Sequence, residues 1–140
     1  MEESRVREIR SAVETFRKAI ERSDLSSDEF YLKTFPRVCC KPASMVLGKY
    51  LVDEVGCRPL TFVEGKSWGH NGGLLRSHWW IEHEGLVIDI TADQFAEIEQ
   101  PVIVTTDLGW YEQFAHLERY SYSETLEIDT LEEVSSRVVD

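Results

Sequence analysis

The chain has three cysteines, and two of them, Cys39 and Cys40, are adjacent in FPRVCCKPAS, directly before a segment with helical character. Proline is tolerated in the first turn of a helix, where its missing N–H had no acceptor, so Pro42 predicts a helix start near Lys41. Cys40 then stands at the N-cap or beside it, where unpaired backbone N–H groups and the positive end of the helix dipole favour a thiolate, with Lys41 adding to the field. The same N–H groups could receive an oxyanion. Cys39 lies one residue further out and reads as packing. If either cysteine is a nucleophile, the geometry favours Cys40, and it then needs a base and a group to orient that base.

Both are present in SHWWIEHEGLVIDIT, residues 77 to 91, which alternates as two strands joined at Glu84 and Gly85. A two-residue turn pairs His83 with Leu86 and, by extension, Trp80 with Asp89 and His78 with Thr91. These four last residues share a face, with Asp89 diagonal to His78 and within reach of its imidazole. Trp80, on that face, is expected to wall a substrate-binding site, while Trp79 faces the core. Glu82 is expected to be a structural acceptor and His83, beside the turn, to be exposed. The loop GKSWGHNGG, residues 65 to 73, lacks the Lys-Ser/Thr ending of a phosphate loop and reads as a flap beside the site, with His70 and Asn71 as further substrate-binding candidates.

Two other chemistries compete for the same residues. Cys39, Cys40, Cys57, His70, His78 and His83 would be enough donors for zinc, but there is no Cys-x-x-Cys pair and neighbouring cysteines are awkward co-ligands. A disulfide between Cys39 and Cys40 would be strained. No metal and no cofactor is expected.

The elements that must hold these residues are legible in the periodicity. Val6, Ile9, Val13, Phe16 and Ile20 draw one apolar stripe along a helix over residues 3 to 22. Ser26 and Glu29 suggest a capping box for a short helix through Leu32, and Pro36 ends whatever precedes it. Met45 to Val55 gives a broad apolar face on a second long helix, ended by Gly56. The period then becomes two: strands are expected at 59 to 65, across the hairpin, and at 101 to 106. The aromatic-rich remainder is weakly periodic, with a possible helix at its end. Helices followed by antiparallel strands predict an α+β fold in one domain spanning residues 1–140.

Composition narrows the partners. A net charge of −11 argues against nucleic acid, whose phosphates need a basic surface. Residues 81 to 140 carry 15 Asp and Glu against 2 Arg and no Lys, leaving 11 acids and 13 bases in residues 1 to 80. Such an acidic face keeps a protein soluble and mildly favours a basic protein or peptide substrate. No apolar run suits a signal peptide or a membrane span, and an odd, low cysteine count suits reduced thiols, so a cytoplasmic protein with no membrane partner is expected.

The order of Cys40 at a helix start, the His-x-Trp-x-Glu strand from His78 and the Asp-x-Thr strand from Asp89 resembles the transglutaminase-like, or papain-like, cysteine hydrolase superfamily. FPRVCCKPASMVLGKYL and IDITADQF also look like small bacterial proteins of that group, the likeness covering roughly residues 35 to 95. It implies a papain/transglutaminase-like core with Cys40 as nucleophile, His78 as general base and acid, and Asp89 as orienting carboxylate. The implied reaction is hydrolysis, deamidation or acyl transfer at an amide; the alternative is a catalytically silent domain that binds a protein partner. The sequence departs from the family at Cys39, where a small residue is usual, and at Lys41 and Pro42, where Gly-Asp is usual. It also offers no secure match for the oxyanion donor that papain-like enzymes place before the cysteine, Tyr31, His70 and Asn71 being the candidates.

Overall fold

A computed structural model describes residues 1–22 and 40–122. Helix α1 runs over Glu3–Arg22, and the predicted stripe is its core face: Ile9, Val13, Phe16 and Ile20 are buried and Val6 packs at the margin. Burying each such side chain contributes about 1.5–3 kcal/mol. One charged residue, Arg17, is buried with them. Helix α2 covers Cys40–Tyr50, with Cys40 its first described residue and Pro42 two residues on. The expected α-helix to Val55 instead widens into a π-helical turn over Leu51–Val55, and Gly56, at φ 76°, closes it in the left-handed conformation with its N–H on the Leu51 carbonyl.

Among the described residues five strands form one antiparallel sheet: β1 (Thr61–Trp68), β2 (Leu74–His83), β3 (Leu86–Asp89), β4 (Ile103–Thr105) and β5 (His116–Ser121), in the order β4-β3-β2-β1-β5. The described residues therefore form an α+β fold, with two α-helices and an antiparallel sheet. Among the described residues no helix is long and apolar enough to cross a membrane. The suggested short helix after Ser26, Tyr31, Cys39 and the suggested C-terminal helix lie outside the described residues.

Alternation along the strands divides the interior in two. Phe62, Ile81, Leu86 and Ile88 meet α1 and α2 on one face, whereas Val63, Trp80 and Val87 meet Tyr111 and Phe114 on the other. Gly48 lets α2 close on the sheet, since a Cβ there would lie 2.6 Å from the Phe62 ring. Gly65 plays the same part on the opposite face, where a Cβ would meet Trp80 Cη2 at 2.7 Å and Phe114 Cβ at 2.8 Å.

Three expectations change here. The glycine-rich segment is not a long flap: Gly65 to Trp68 continue β1, paired with β2, and only a turn remains, held by Gly69 N–H to Gly73 O at 2.8 Å and Gly72 N–H to Gly69 O at 3.0 Å. His83 is not exposed; it is buried, with Nδ1 2.7 Å from the Pro59 carbonyl, a partner 24 residues away that nothing near the turn announces. Strand β5 was not expected, because only Tyr120 on it is even half-buried and its sequence, HLERYS, carries no apolar alternation.

The hairpin forms as predicted, with Glu84 at φ 50° and Gly85 at φ 81°, the signature of a type I′ turn, and with His83 opposite Leu86. The ladder stops sooner than predicted. It covers His83–Leu86, Glu82–Val87 and Ile81–Ile88, and the expected pairs Trp80–Asp89 and His78–Thr91 are not part of it. Asp89 ends β3 because its own Oδ1 accepts the Thr91 N–H at 2.9 Å, folding the backbone into an Asx-type turn. Between His78 and the chain after Asp89 the sheet is consequently open.

Candidate active site

The site forms at that opening. His78 and Asp89 face the same side of the sheet, and His78 Nε2 lies 2.7 Å from Asp89 Oδ2. Neither side chain has any solvent exposure. Asp89 is saturated: Oδ1 takes the Thr91 N–H, with Thr91 Oγ1 at 3.5 Å, and Oδ2 takes the Tyr111 hydroxyl at 2.7 Å besides His78. Burial works most strongly against its charged form, but the His78 charge and these hydrogen bonds outweigh it and hold the carboxyl below its ordinary range. The same burial, with the adjacent carboxylate, pushes the Tyr111 phenol far up, so it stays a donor.

Cys40 approaches from the helical face. Its half-buried thiol, on the first residue of α2, hydrogen-bonds the His78 ring, the Trp79 backbone and the Gln94 side chain. With Nε2 bonded to Asp89, Nδ1 is the ring nitrogen left for the sulfur. Burial would raise the thiol's pKa, yet His78, through its hydrogen bond and its charge, turns the shift downward. For His78, burial opposes the cation, but Asp89 and Cys40 prevail and lift it from 6.5 to about 9. A thiol pushed down beside an imidazole pushed up is the condition for a thiolate–imidazolium pair at neutral pH. Cys57 shows the contrast, since it is buried and its thiol is pushed up, chiefly by that burial.

Aromatic rings enclose the imidazole. Phe95 and Trp110 meet it edge-on at centroid distances of 5.3 and 5.8 Å, with Trp80 at 5.9 Å and Phe114 at 6.2 Å. They exclude water and thereby strengthen the electrostatic contacts inside. The segments bearing Phe95 and Trp110 are tied by Glu97, which pairs with Arg76 and accepts the Trp110 indole N–H at 2.9 Å.

Cys40, His78 and Asp89 are thus brought together, with Thr91 beside them, while the residues expected to bind substrate are not. Trp80 is 1% exposed and supports His78 from within the core instead of lining an accessible surface. His70 and Asn71 lie in the exposed turn at the far end of the hairpin, where Asn71 Oδ1 accepts the Gly73 N–H. Even Leu74, nearer along β2, is four residues from His78, about 13 Å at strand spacing. Glu82 is a structural acceptor as expected, taking the Trp80 indole and Arg119. Lys41 places its ammonium 5.2 Å above the Trp79 ring instead of serving the sulfur. Among the described residues no group of three or more His, Cys, Asp or Glu is arranged to hold a metal.

Sequence reasoning missed Gln94, Tyr111 and Arg17. Gln94, in IDITADQF, lies in a 3-10 turn over Ala92–Gln94, with its Nε2 3.1 Å from His78 Nδ1. That turn is bolted to α1 by Arg17, which grips Asp93 through Nη1–Oδ1 at 3.0 Å and Nη2–Oδ2 at 2.9 Å and donates to the Ile90 and Pro101 carbonyls. The proximity of Gln94 to Asp89 in sequence was a usable signal; Tyr111 and Arg17 are joined to the site only by the folded chain. Comparison with protein-family models, curated proteins and solved structures finds no match to this chain.

Proposed function

We propose that the protein is a cysteine-dependent hydrolase or acyltransferase of transglutaminase-like or papain-like type, acting on an amide or related acyl group. The observation that carries this is the buried His78 ring, with one nitrogen on the Asp89 carboxylate and the other side on the Cys40 thiol. In this scheme the Cys40 thiolate adds to the carbonyl carbon, and the π electrons move to oxygen. Collapse of the intermediate breaks the C–N bond, and His78 protonates the departing amine. Water or a second amine then resolves the thioester. Peptide hydrolysis, glutamine deamidation and acyl transfer share this first half. The acidic character of residues 81–140 supports a basic protein or peptide substrate, whose affinity should fall as salt is raised.

The test is site-resolved alkylation with iodoacetamide at pH 6. Cys40 should react much faster than Cys57, and the preference should vanish in His78→Ala. Equal, slow labelling of both would overturn the enzymatic assignment and leave a protein-binding cleft as the alternative. Recovery of an acyl group bound to Cys40 from cell lysate would identify the substrate class.

A further inference from the structure

The Cys40–His78 pair is bridged by a third side chain. Gln94 Nε2 lies 3.1 Å from His78 Nδ1, and the same side chain hydrogen-bonds the Cys40 thiol. An amide nitrogen donates and does not accept, so this contact requires a lone pair on Nδ1 and belongs to the neutral ring. Once the Cys40 proton moves to Nδ1, two N–H groups would face each other. The bond to the ring is lost at the moment the sulfur becomes an anion beside it, and the amide donor is released toward the negative charge.

We propose that Gln94 is a catalytic residue: its carboxamide donates first to the Cys40 thiolate and then to the oxyanion formed when that thiolate attacks. This rests on the acyl-transfer chemistry proposed above. As the C–S bond forms, the carbonyl π pair moves to oxygen, and the Gln94 N–H follows the charge from sulfur to oxygen. As the oxyanion collapses, the C–N bond breaks and the Nδ1 proton goes to the leaving amine. The first turn of α2 is a depleted source of backbone donors, because Pro42 has no N–H to offer, which raises the value of a side-chain donor. The placement suits the role. Gln94 is half-exposed, at the boundary where a substrate would enter, and its backbone is held by the N–H to the Thr91 carbonyl at 3.1 Å and by the neighbouring Arg17–Asp93 clamp.

Two probes separate this role from simple support of the ion pair. Iodoacetamide reacts with the thiolate by displacement and creates no oxyanion, whereas p-nitrophenyl acetate acylates through one. Gln94→Ala and the similarly sized Gln94→Met should keep Cys40 alkylation within about threefold of wild type at pH 7, while Cys40 acylation falls about 100-fold or more. Retained acylation in both variants overturns the proposal, as does an equal fall in both reactions, which would mark Gln94 as a support for the thiolate alone. A wild-type protein that alkylates rapidly but is not acylated refutes the acyl chemistry, and the Gln94 role with it. Alkylation unaffected by His78→Ala refutes the activated thiol itself.

Discussion

Replacing Asp89 by Asn keeps the shape of the buried carboxylate and removes its charge, which isolates what that charge does for His78. The imidazole has no solvent exposure, so burial alone would place its pKa below 6.5, yet it is lifted to about 9 with Asp89 as the leading cause. Without that carboxylate burial prevails, so the imidazolium becomes the minor form and the thiolate that depends on the proton transfer falls with it. The loss is read most clearly where an ordinary thiol is silent. At low pH a buried thiol without its imidazolium is almost wholly protonated, so the drop is largest there, and the deficit should shrink as pH rises and the thiol ionises unaided. The assay is the second-order rate of Cys40 alkylation from pH 5.5 to 9, with Cys57 as internal standard and a thermal melt to verify folding. A ratio under about tenfold at pH 6, or a deficit that does not shrink as pH rises, would refute the assignment of Asp89 as the group holding the ion pair. Stability provides a second readout. A raised His78 pKa alone would contribute stability that is complete below pH 6.5 and lost as pH climbs through about 9, but the lowered Cys40 thiol contributes with the opposite sign as pH rises toward 9.0, so the ion pair leaves little slope on the alkaline side. A lowered Asp89 pKa contributes stability present above about pH 3.8 and lost as pH falls through the folded-state value. That acid limb should flatten in Asp89→Asn.

Tyr111→Phe removes one of the two donors on Asp89 Oδ2 and should cost about 1.5–3 kcal/mol, with the acid limb of the stability profile moving to higher pH, measured by urea unfolding at pH 3 to 7. Arg17→Met leaves Asp93 unpaired and two carbonyls without their donor, so a loss of about 3–5 kcal/mol is expected in chemical denaturation. Gly65→Ala drives a methyl group into the Trp80 indole and Phe114 and should destabilise by about 1–3 kcal/mol, visible as a lower Tm and a changed tryptophan fluorescence.

Much of the candidate site could be read in advance because its determinants are local. The Glu84–Gly85 turn sets the hairpin register, the register puts His78, Trp80 and Asp89 on one face, and Pro42 marks the start of the helix that carries Cys40. What escaped depends on contacts between distant segments. Arg17 sits beside Phe16 in an apolar stripe and is buried only because Asp93 and two carbonyls await it; Tyr111 comes from a stretch without periodicity; His83 is buried by a carbonyl 24 residues earlier in the chain. Strand β5 is held by its backbone pairing with β1, which leaves no trace in a pattern of side chains. Trp80 was placed on the correct face, but the packing of Tyr111 and Phe114 over it decided that it would be core.

The early end of the β2–β3 ladder has a consequence for how the protein could be switched. Cys40 belongs to the helical layer and His78 to the aromatic layer on the other side of the sheet, and they meet only through the opening beyond Ile81 and Ile88. The reactive pair thus works as a coincidence detector: it exists only while both layers are docked. A local loosening of the start of α2, or of the turn that Arg17 anchors, would disarm the thiol while leaving the sheet intact, so chemical reactivity could be lost at a temperature well below that of global unfolding.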